Sequence, residues 1–394
     1  MIRVPITRPD LGDEEVEAAA RVIRSGWVTQ GPEVAAFETE FAAAVGAPHA
    51  VAVANCTVAL ELSLRALGVG PGDEVVTVSH SFVATANAVV AVGARPVFVD
   101  VEPDTYGMDP RRLPAAFTAK TRAVVCVHQL GIPCDIEGIL SAAAARGVPV
   151  IEDAACAIGS EVRWRGEWIP IGKPLGVVAC FSFHPRKVLT TGDGGMITTA
   201  DPALDRRLRL LRQHGMTVPD TVRHHSDRVS FEEYVEPGFN ARLTDVQAAI
   251  GRPQLRRLDA TVARRRALAD RLAAALAKNR VLSAPRERPD ARGNWQSYPA
   301  QLRPECGAGQ VEVLQFLLDR GVACKRGVTN AHQEPAYAGG THWSAGPGGL
   351  AVSERLRDET VLLPLYHAMD DTEMEAVLAA LAALDGALGG RRAG

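Results

Sequence analysis

No stretch of this chain is long and apolar enough to span a bilayer, and its first residues, Met1-Ile2-Arg3-Val4-Pro5, lack the apolar core of a secretory signal. Those absences fit a cytoplasmic protein. Paired cysteines are missing as well. Cys56, Cys126, Cys134, Cys156, Cys180, Cys306 and Cys324 are scattered, odd in number and without C-x-x-C spacing, which fits free thiols in a reducing compartment rather than disulfides or zinc. There is no long basic run and the net charge is only −3, so neither nucleic acid nor an anionic membrane is an expected partner, and a small metabolite is. No G-x-G-x-x-G follows an early strand; Gly68-Val69-Gly70-Pro71-Gly72 has the wrong spacing and sits after a helical segment, which excludes a nicotinamide-dependent oxidoreductase. His224 and His225 lie in a polar stretch without metal-ligand spacing, and no metal is expected.

What the chain does have is size and one distinctive stretch. At 394 residues with 47% hydrophobic content, it can build a large α/β domain and a smaller one. The stretch runs from Phe181 to Gly195, F-S-F-H-P-R-K-V-L-T-T-G-D-G-G, and sets Lys187 between an apolar lead-in and a glycine-rich turn able to take positive φ. Upstream, Val148-Pro149-Val150-Ile151-Glu152-Asp153 reads as a buried parallel strand with a carboxylate at its carboxyl end, where open α/β sheets place ligands. An amine that can form an imine and a carboxylate that can hold a pyridinium protonated are the two groups a pyridoxal phosphate site needs.

These two segments, with Gly238-Phe239-Asn240-Ala241-Arg242-Leu243-Thr244-Asp245, resemble the DegT/DnrJ/EryC1/StrS aminotransferases, and the likeness runs from about Trp27 to about Leu365. The resemblance implies a fold-type I α/β enzyme dependent on pyridoxal 5′-phosphate, with pyridoxamine 5′-phosphate as its intermediate form. A large cofactor-binding domain with a mostly parallel, helix-flanked sheet is expected over 1–255, including the amino-terminal helix and an entrance loop. Residues 256–394 are expected to form an interdomain helix and a small α+β domain, with a disordered tail near 389–394.

By the same resemblance, Lys187 carries the cofactor, Asp153 meets the ring nitrogen and Phe82 stacks on the ring. Ser182 and the helix start at Cys56, Thr57 and Val58 take the phosphate. Cys156 stands where many relatives carry glutamine or histidine against the ring hydroxyl. Asn240 is expected to reach the phosphate held by a second subunit, which implies a homodimer. For the substrate, the resemblance points to Trp27 and Thr29 in the loop Gly26–Gly31, to His184, to Arg242 and Lys325 as partners of a diphosphate, and to His332. His128 is given no role.

Hydrophobic periodicity places helices at Asp13–Ser25, Val58–Leu67, Asp135–Arg146, Leu255–Lys278, Val311–Arg320 and Asp371–Leu388. Thr57 is expected to cap the second of these, and Thr244 or Asp245 the helix through Gln247 and Ile250. Cationic Asp205–His214 reads as a solvated helical face. Strands are expected at Val51–Ala54, Glu74–Val78, Pro96–Asp100, Ala123–Val127, Val148–Asp153, Val177–Phe183 and Met196–Thr199. Beyond a composition shift at Val281–Asn294, two more are expected at Trp295–Leu302 and Val322–Arg326.

The expected reaction moves an amino group from an amino acid, L-glutamate first, to a nucleotide-linked keto deoxysugar, with a keto-cyclitol as the alternative acceptor. Lys187 moves the proton, its pKa lowered by a neighbouring pyridinium. A sugar dehydratase of this family would carry histidine in place of the lysine, and a non-catalytic regulator would have lost Lys187 or Asp153; both residues are present.

Overall fold

In the computed structural model, which describes residues 3–218, 229 and 231–390, the apolar runs of the first half supply seven strands of one eight-stranded sheet. Its order is His49–Val53, Gly195–Thr199, Val178–Ser182, Val150–Asp153, Thr121–Val127, Glu74–Val78, Arg95–Val99 and Ser344–Ala345. Only Gly195–Thr199 runs against its neighbours; the other pairings are parallel. The strands are almost continuously apolar because both faces are covered. Ala50, Val76, Val124 and Val150 pack into one core, while Val51, Val75, Val125 and Ile151 pack into another on the opposite face.

The edge strand His49–Val53 shows how an open edge is closed without another strand. Glu38 Oε1 accepts the Ala52 N–H at 2.9 Å, Arg212 donates to the Ala52 carbonyl at 2.8 Å, and Arg209 donates to the Ala50 carbonyl at 2.8 Å. These side chains pair backbone groups that an edge leaves exposed. Arg212 and Arg209 also hold the Glu38 carboxylate. The helix Pro202–Arg212 is therefore not the simple solvated face expected for 205–214: Arg212 is buried, because the edge strand needs a donor there.

Three other expectations need correcting. The helix after the first strand is Cys56–Ala66, and its cap is Asn55, whose carboxamide oxygen accepts the Val58 N–H at 3.0 Å; Thr57 lies inside the first turn. Asn55 wins because its extended backbone (φ −170°) sets its side chain over the helix start. The two expected helices meet later than expected: Leu255 and Arg256 still belong to Asp245–Arg256, and the next helix is Leu258–Leu276. Arg257 at the break (φ −100°, ψ 12°) is fixed by Glu15 at 2.6 Å and the Asp10 carbonyl at 3.0 Å. No glycine or proline punctuates that junction.

Finally, the carboxyl-terminal part has four strands rather than two, in the order Leu282–Ser283, Tyr298–Leu302, Thr360–Leu363, Lys325–Arg326, all antiparallel. Thr360–Leu363, buried throughout, is absent from the expected strands because four residues give too short a run to separate strand from helix. The helices Gln310–Leu318 and Asp371–Leu388 pack beside it.

This part is stitched to the amino-terminal half twice. Ser344–Ala345 forms the last strand of the large sheet, and Ala291–Arg292 pairs with the hairpin strand Glu161–Trp164 in a separate three-stranded sheet. Gly389 still bonds to the Asp385 carbonyl at 2.9 Å; residues 391–394, like His224 and His225, lie outside the described residues. No helix among the described residues is long and apolar enough to cross a membrane.

Candidate active site

The parallel strands deliver their carboxyl ends to one rim. Asp153 and Ser182 close adjacent strands, Asn55 and Cys56 follow Val53, and Ser79 to Phe82 follow Val78. Asp153 is buried, with Oδ2 accepting the Thr85 hydroxyl at 2.8 Å and Oδ1 the Ala155 N–H at 3.2 Å. Ser81 in turn meets the Thr85 hydroxyl at 2.9 Å. Burial pushes the Asp153 carboxyl above its usual range, against the opposing pull of Thr85, Ala155 and Lys187. A buried carboxyl in that state gains from a cation set against it. Thr85 escaped sequence reasoning; its signal was the position four residues after Ser81, one helical turn on.

Adjacent Glu152 serves the scaffold. It accepts the amides of Leu175 and Gly176 at 3.1 and 2.8 Å and meets His128 Nε2 at 3.1 Å. Burial disfavours the His128 imidazolium, but Cys134 and Glu152 outweigh it and bring the ring to about 10.

Lys187 is reached through a tight turn. The His184 N–H donates to Ser182 Oγ at 3.4 Å, the Arg186 N–H to His184 Nδ1 at 3.2 Å, and the Lys187 N–H to the His184 carbonyl at 2.8 Å. The Lys187 Nζ donates to Cys156 Sγ at 3.0 Å. Burial disfavours the ammonium, yet Cys156, Cys56 and Asp153 more than offset that, and the amine sits above its usual range. The protein groups around Lys187 therefore act opposite to the expected lowering.

In the glycine-rich turn only Gly192 takes a positive φ, at 83°. Gly195 is needed for another reason: a Cβ there would lie 2.6 Å from the Asn55 carbonyl carbon and 2.9 Å from the Cys56 nitrogen. The bare Cα lets the antiparallel strand pass close beneath the helix start. With the Val58 amide taken by Asn55, the amides of Cys56 and Thr57 are the first-turn donors that have no partner within the helix.

The third motif approaches the same corner. Ala54 N–H donates to the Ala241 carbonyl at 2.9 Å, and Arg242 bridges Val53. Asn240 is exposed. Thr244 caps its own helix in a capping box with Gln247, while Asp245 caps a different one. Its carboxylate takes the amides of Gly31, Glu33 and Val34 at 2.7, 3.2 and 3.0 Å, and its own N–H donates to the Thr29 carbonyl at 3.1 Å. The loop bearing Trp27 and Thr29 is therefore anchored on the third motif.

The model of the DegT/DnrJ/EryC1/StrS aminotransferase family matches residues 9–382. The chain belongs to that family. It is accordingly a pyridoxal phosphate-dependent aminotransferase. Among curated relatives, the spore coat polysaccharide biosynthesis protein SpsC of Bacillus subtilis is 38% identical over 380 residues, 96% of each chain. Among solved structures, the aminotransferase TlmJ from Streptoalloteichus hindustanus is 37% identical with a TM-score of 0.85, covering 98% of this chain and 100% of that one. DesV from S. venezuelae, solved with a ketimine intermediate, is 34% identical with a TM-score of 0.86, covering 98% and 99%.

Around the family's core lie residues that differ in how the structure treats them. Phe82 is 73% exposed and so is not a core aromatic. Both His332 nitrogens are engaged, Nδ1 with Ser79 Oγ at 2.6 Å and Nε2 with Glu354 at 3.2 Å. Burial, Arg186 and Arg326 together push the Lys325 amine down, which marks a cluster of three cations beside the lysine turn. The Arg326 Nε is buried without a partner among the described residues.

Asn294 and Gln296 were invisible in the sequence, being uncharged residues in a linker. Asn294 Nδ2 donates to the carbonyls of Cys156 and Ile158 at 2.8 and 2.7 Å, and Gln296 Nε2 donates to the Arg186 carbonyl at 2.7 Å. Trp295 between them takes φ 52°.

Proposed function

We propose that this aminotransferase transfers the amino group of L-glutamate to the keto group of a nucleotide-linked keto deoxysugar, with the cofactor alternating between its pyridoxal and pyridoxamine forms. The observation that carries the reading is the rim itself, with Lys187, a buried Asp153 seeking a cation, and a helix start under which Gly195 leaves room. Those residues fit pyridoxal 5′-phosphate in charge and donor type. The cofactor supplies an electron sink for the pair left when the amino-acid α-proton is removed.

The protein groups divide the remaining work. Asp153, oriented by Thr85, would keep the ring nitrogen protonated, and exposed Phe82 would be available to stack on the ring. The Cys56 and Thr57 amides and Ser182 would hold the phosphate, whereas the amide of Val58, expected to join them, is already taken by Asn55. Cys156 meets the ring hydroxyl. Lys187 would hold the cofactor and, as a free amine, would move the proton taken from the amino-acid α-carbon to the cofactor C4′ carbon.

Lys325 and Arg242, joined by Arg186 and Arg326, take the substrate diphosphate, while Trp27, Thr29, His184 and His332 line its approach. The relative named for spore coat polysaccharide biosynthesis supports a sugar acceptor. Exposed Phe231, Tyr234 and Val235, a few residues before Asn240 in the chain, and exposed Phe82 support a homodimer in which Asn240 reaches the other subunit's phosphate.

The test is the absorbance of the cofactor-loaded protein before and after L-glutamate is added without acceptor. Replacement of the visible band by the ultraviolet band of the pyridoxamine form, with release of 2-oxoglutarate, is the expected result; a band indifferent to glutamate overturns the donor. A panel of nucleotide-linked keto sugars and keto-cyclitols then identifies the acceptor. Turnover of cyclitols alone would leave the cation cluster without its assigned partner.

Two substitutions probe the phosphate site. Gly195→Ala presses a methyl onto Asn55 and Cys56, an overpacking that costs about 1–3 kcal/mol. Carried into the phosphate site, that cost should appear in a titration with pyridoxal phosphate as roughly 5- to 150-fold weaker binding. Asn240→Ala should shed cofactor faster on dialysis while leaving the monomer folded by circular dichroism, and unchanged retention removes the cross-subunit contact.

A further inference from the structure

One contact in the site has a chemistry that transamination does not use. Lys187 Nζ and Cys156 Sγ stand 3.0 Å apart, and neither residue is sealed from solvent. Of the seven cysteines, five are buried; Cys156 and Cys324 are the two that a small oxidant reaches, and Cys156 has the amine beside it. The pair is also held from behind. Asn294 fixes the Cys156 carbonyl, and Gln296 fixes the carbonyl of Arg186, next to the lysine, so their spacing is set by two braced backbone segments.

We propose that Cys156 and Lys187 form an oxidation-sensitive lock: hydrogen peroxide joins them through a covalent S–N bond in the cofactor-free protein, and a thiol reopens it. In the first step the Cys156 sulfur attacks a peroxide oxygen, the O–O bond breaks, and Cys156 becomes a sulfenic acid while one water leaves. In the second, the Lys187 nitrogen lone pair attacks that sulfur, the S–O bond breaks, and the hydroxyl leaves as a second water with a proton from the amine. Sulfur loses two electrons and the peroxide gains them. The linked pair has two hydrogens fewer than the thiol and amine. Reduction by two thiols, which end as a disulfide, restores both side chains.

The consequence for the enzyme rests on the reading of Lys187 as the attachment point of the cofactor; the bond itself does not. A lysine engaged by pyridoxal phosphate has no free amine to offer, so the loaded enzyme is protected and the empty one is not. Oxidation would then hold empty protein in a reversible, cofactor-refusing state and spare its thiol from irreversible over-oxidation.

The experiment treats the full-length protein, stripped of cofactor or loaded with it, with hydrogen peroxide. One half of each sample is digested for mass spectrometry, and the other is titrated with pyridoxal phosphate. In the stripped sample the peptides bearing Cys156 and Lys187 should be joined with two hydrogens lost and be parted by dithiothreitol, and cofactor loading should fall until dithiothreitol is added. The loaded sample should show neither change. Cys156→Ser should yield no joined peptide and load as well after peroxide as before it. A free Lys187 beside a Cys156 sulfinic acid, or a Cys156–Cys56 disulfide, overturns the proposal. Joined peptides with undiminished loading keep the bond and overturn the attachment role of Lys187.

Discussion

Lys187→Ala is expected to purify as a folded protein to which borohydride fixes no pyridoxal phosphate, and to lose transamination from L-glutamate by at least about 10⁴-fold. The size of the loss follows from one side chain doing two jobs, attaching the cofactor and moving a proton, of which the proton transfer alone is worth roughly 10²–10⁴-fold. Folding should survive because the side-chain amine makes its bond to Cys156 in a half-buried setting, and losing such a bond costs only about 1 kcal/mol. Circular dichroism and thermal unfolding separate the two effects. A normal visible absorbance band in the variant would remove Lys187 from the mechanism.

Glu38→Ala is expected to have the largest effect on stability, about 3–5 kcal/mol, because it strands buried Arg212 without its anion and leaves the Ala52 N–H of the edge strand without an acceptor. The same residue predicts acid sensitivity. Burial opposes the Glu38 carboxylate, but Arg212 and Arg209 prevail and hold it below its ordinary 4.5. A carboxyl whose folded-state pKa is depressed binds protons more readily when unfolded. Its contribution is therefore complete above about pH 4.5 and drains away as the pH falls through the lower, folded-state value. Denaturant unfolding across that range should show a shallower acid limb in Glu38→Ala than in the parent chain. Equal limbs would locate the acid sensitivity elsewhere.

The parts of the site that were legible in the sequence are those whose chemistry is local. Asp153 announces itself at the end of an apolar run, and Lys187 between a strand and a glycine-rich turn, because strand ends and turns are written in consecutive residues. The helix Asp13–Ser25 and the helix Asp371–Leu388 have the expected bounds for the same reason. What stayed hidden is what distant segments do for one another. Arg212 is buried by Glu38, which lies 174 residues away along the chain, and nothing near Arg212 distinguishes it from a solvated arginine.

Asn55 took the cap expected at Thr57 because the choice depends on the backbone angle leaving the strand. Asp245, read as a possible cap for its own helix, caps the helix Pro32–Val45, a partner that only the fold reveals. Gly195 was read for its backbone freedom, whereas its small size against Asn55 is what the strand crossing requires.

The brace at Asn294 and Gln296 bears on the order in which the protein matures. The carbonyls of Cys156 and Arg186 find these donors in a segment more than a hundred residues further along the chain. A nascent chain that has emerged only as far as Gly195–Thr199 can pair seven of the eight strands of the large sheet, yet the loops of Cys156 and Lys187 are still unbraced. The rim becomes rigid when the linker docks, late in synthesis, so the growing polypeptide offers no finished site until most of it exists.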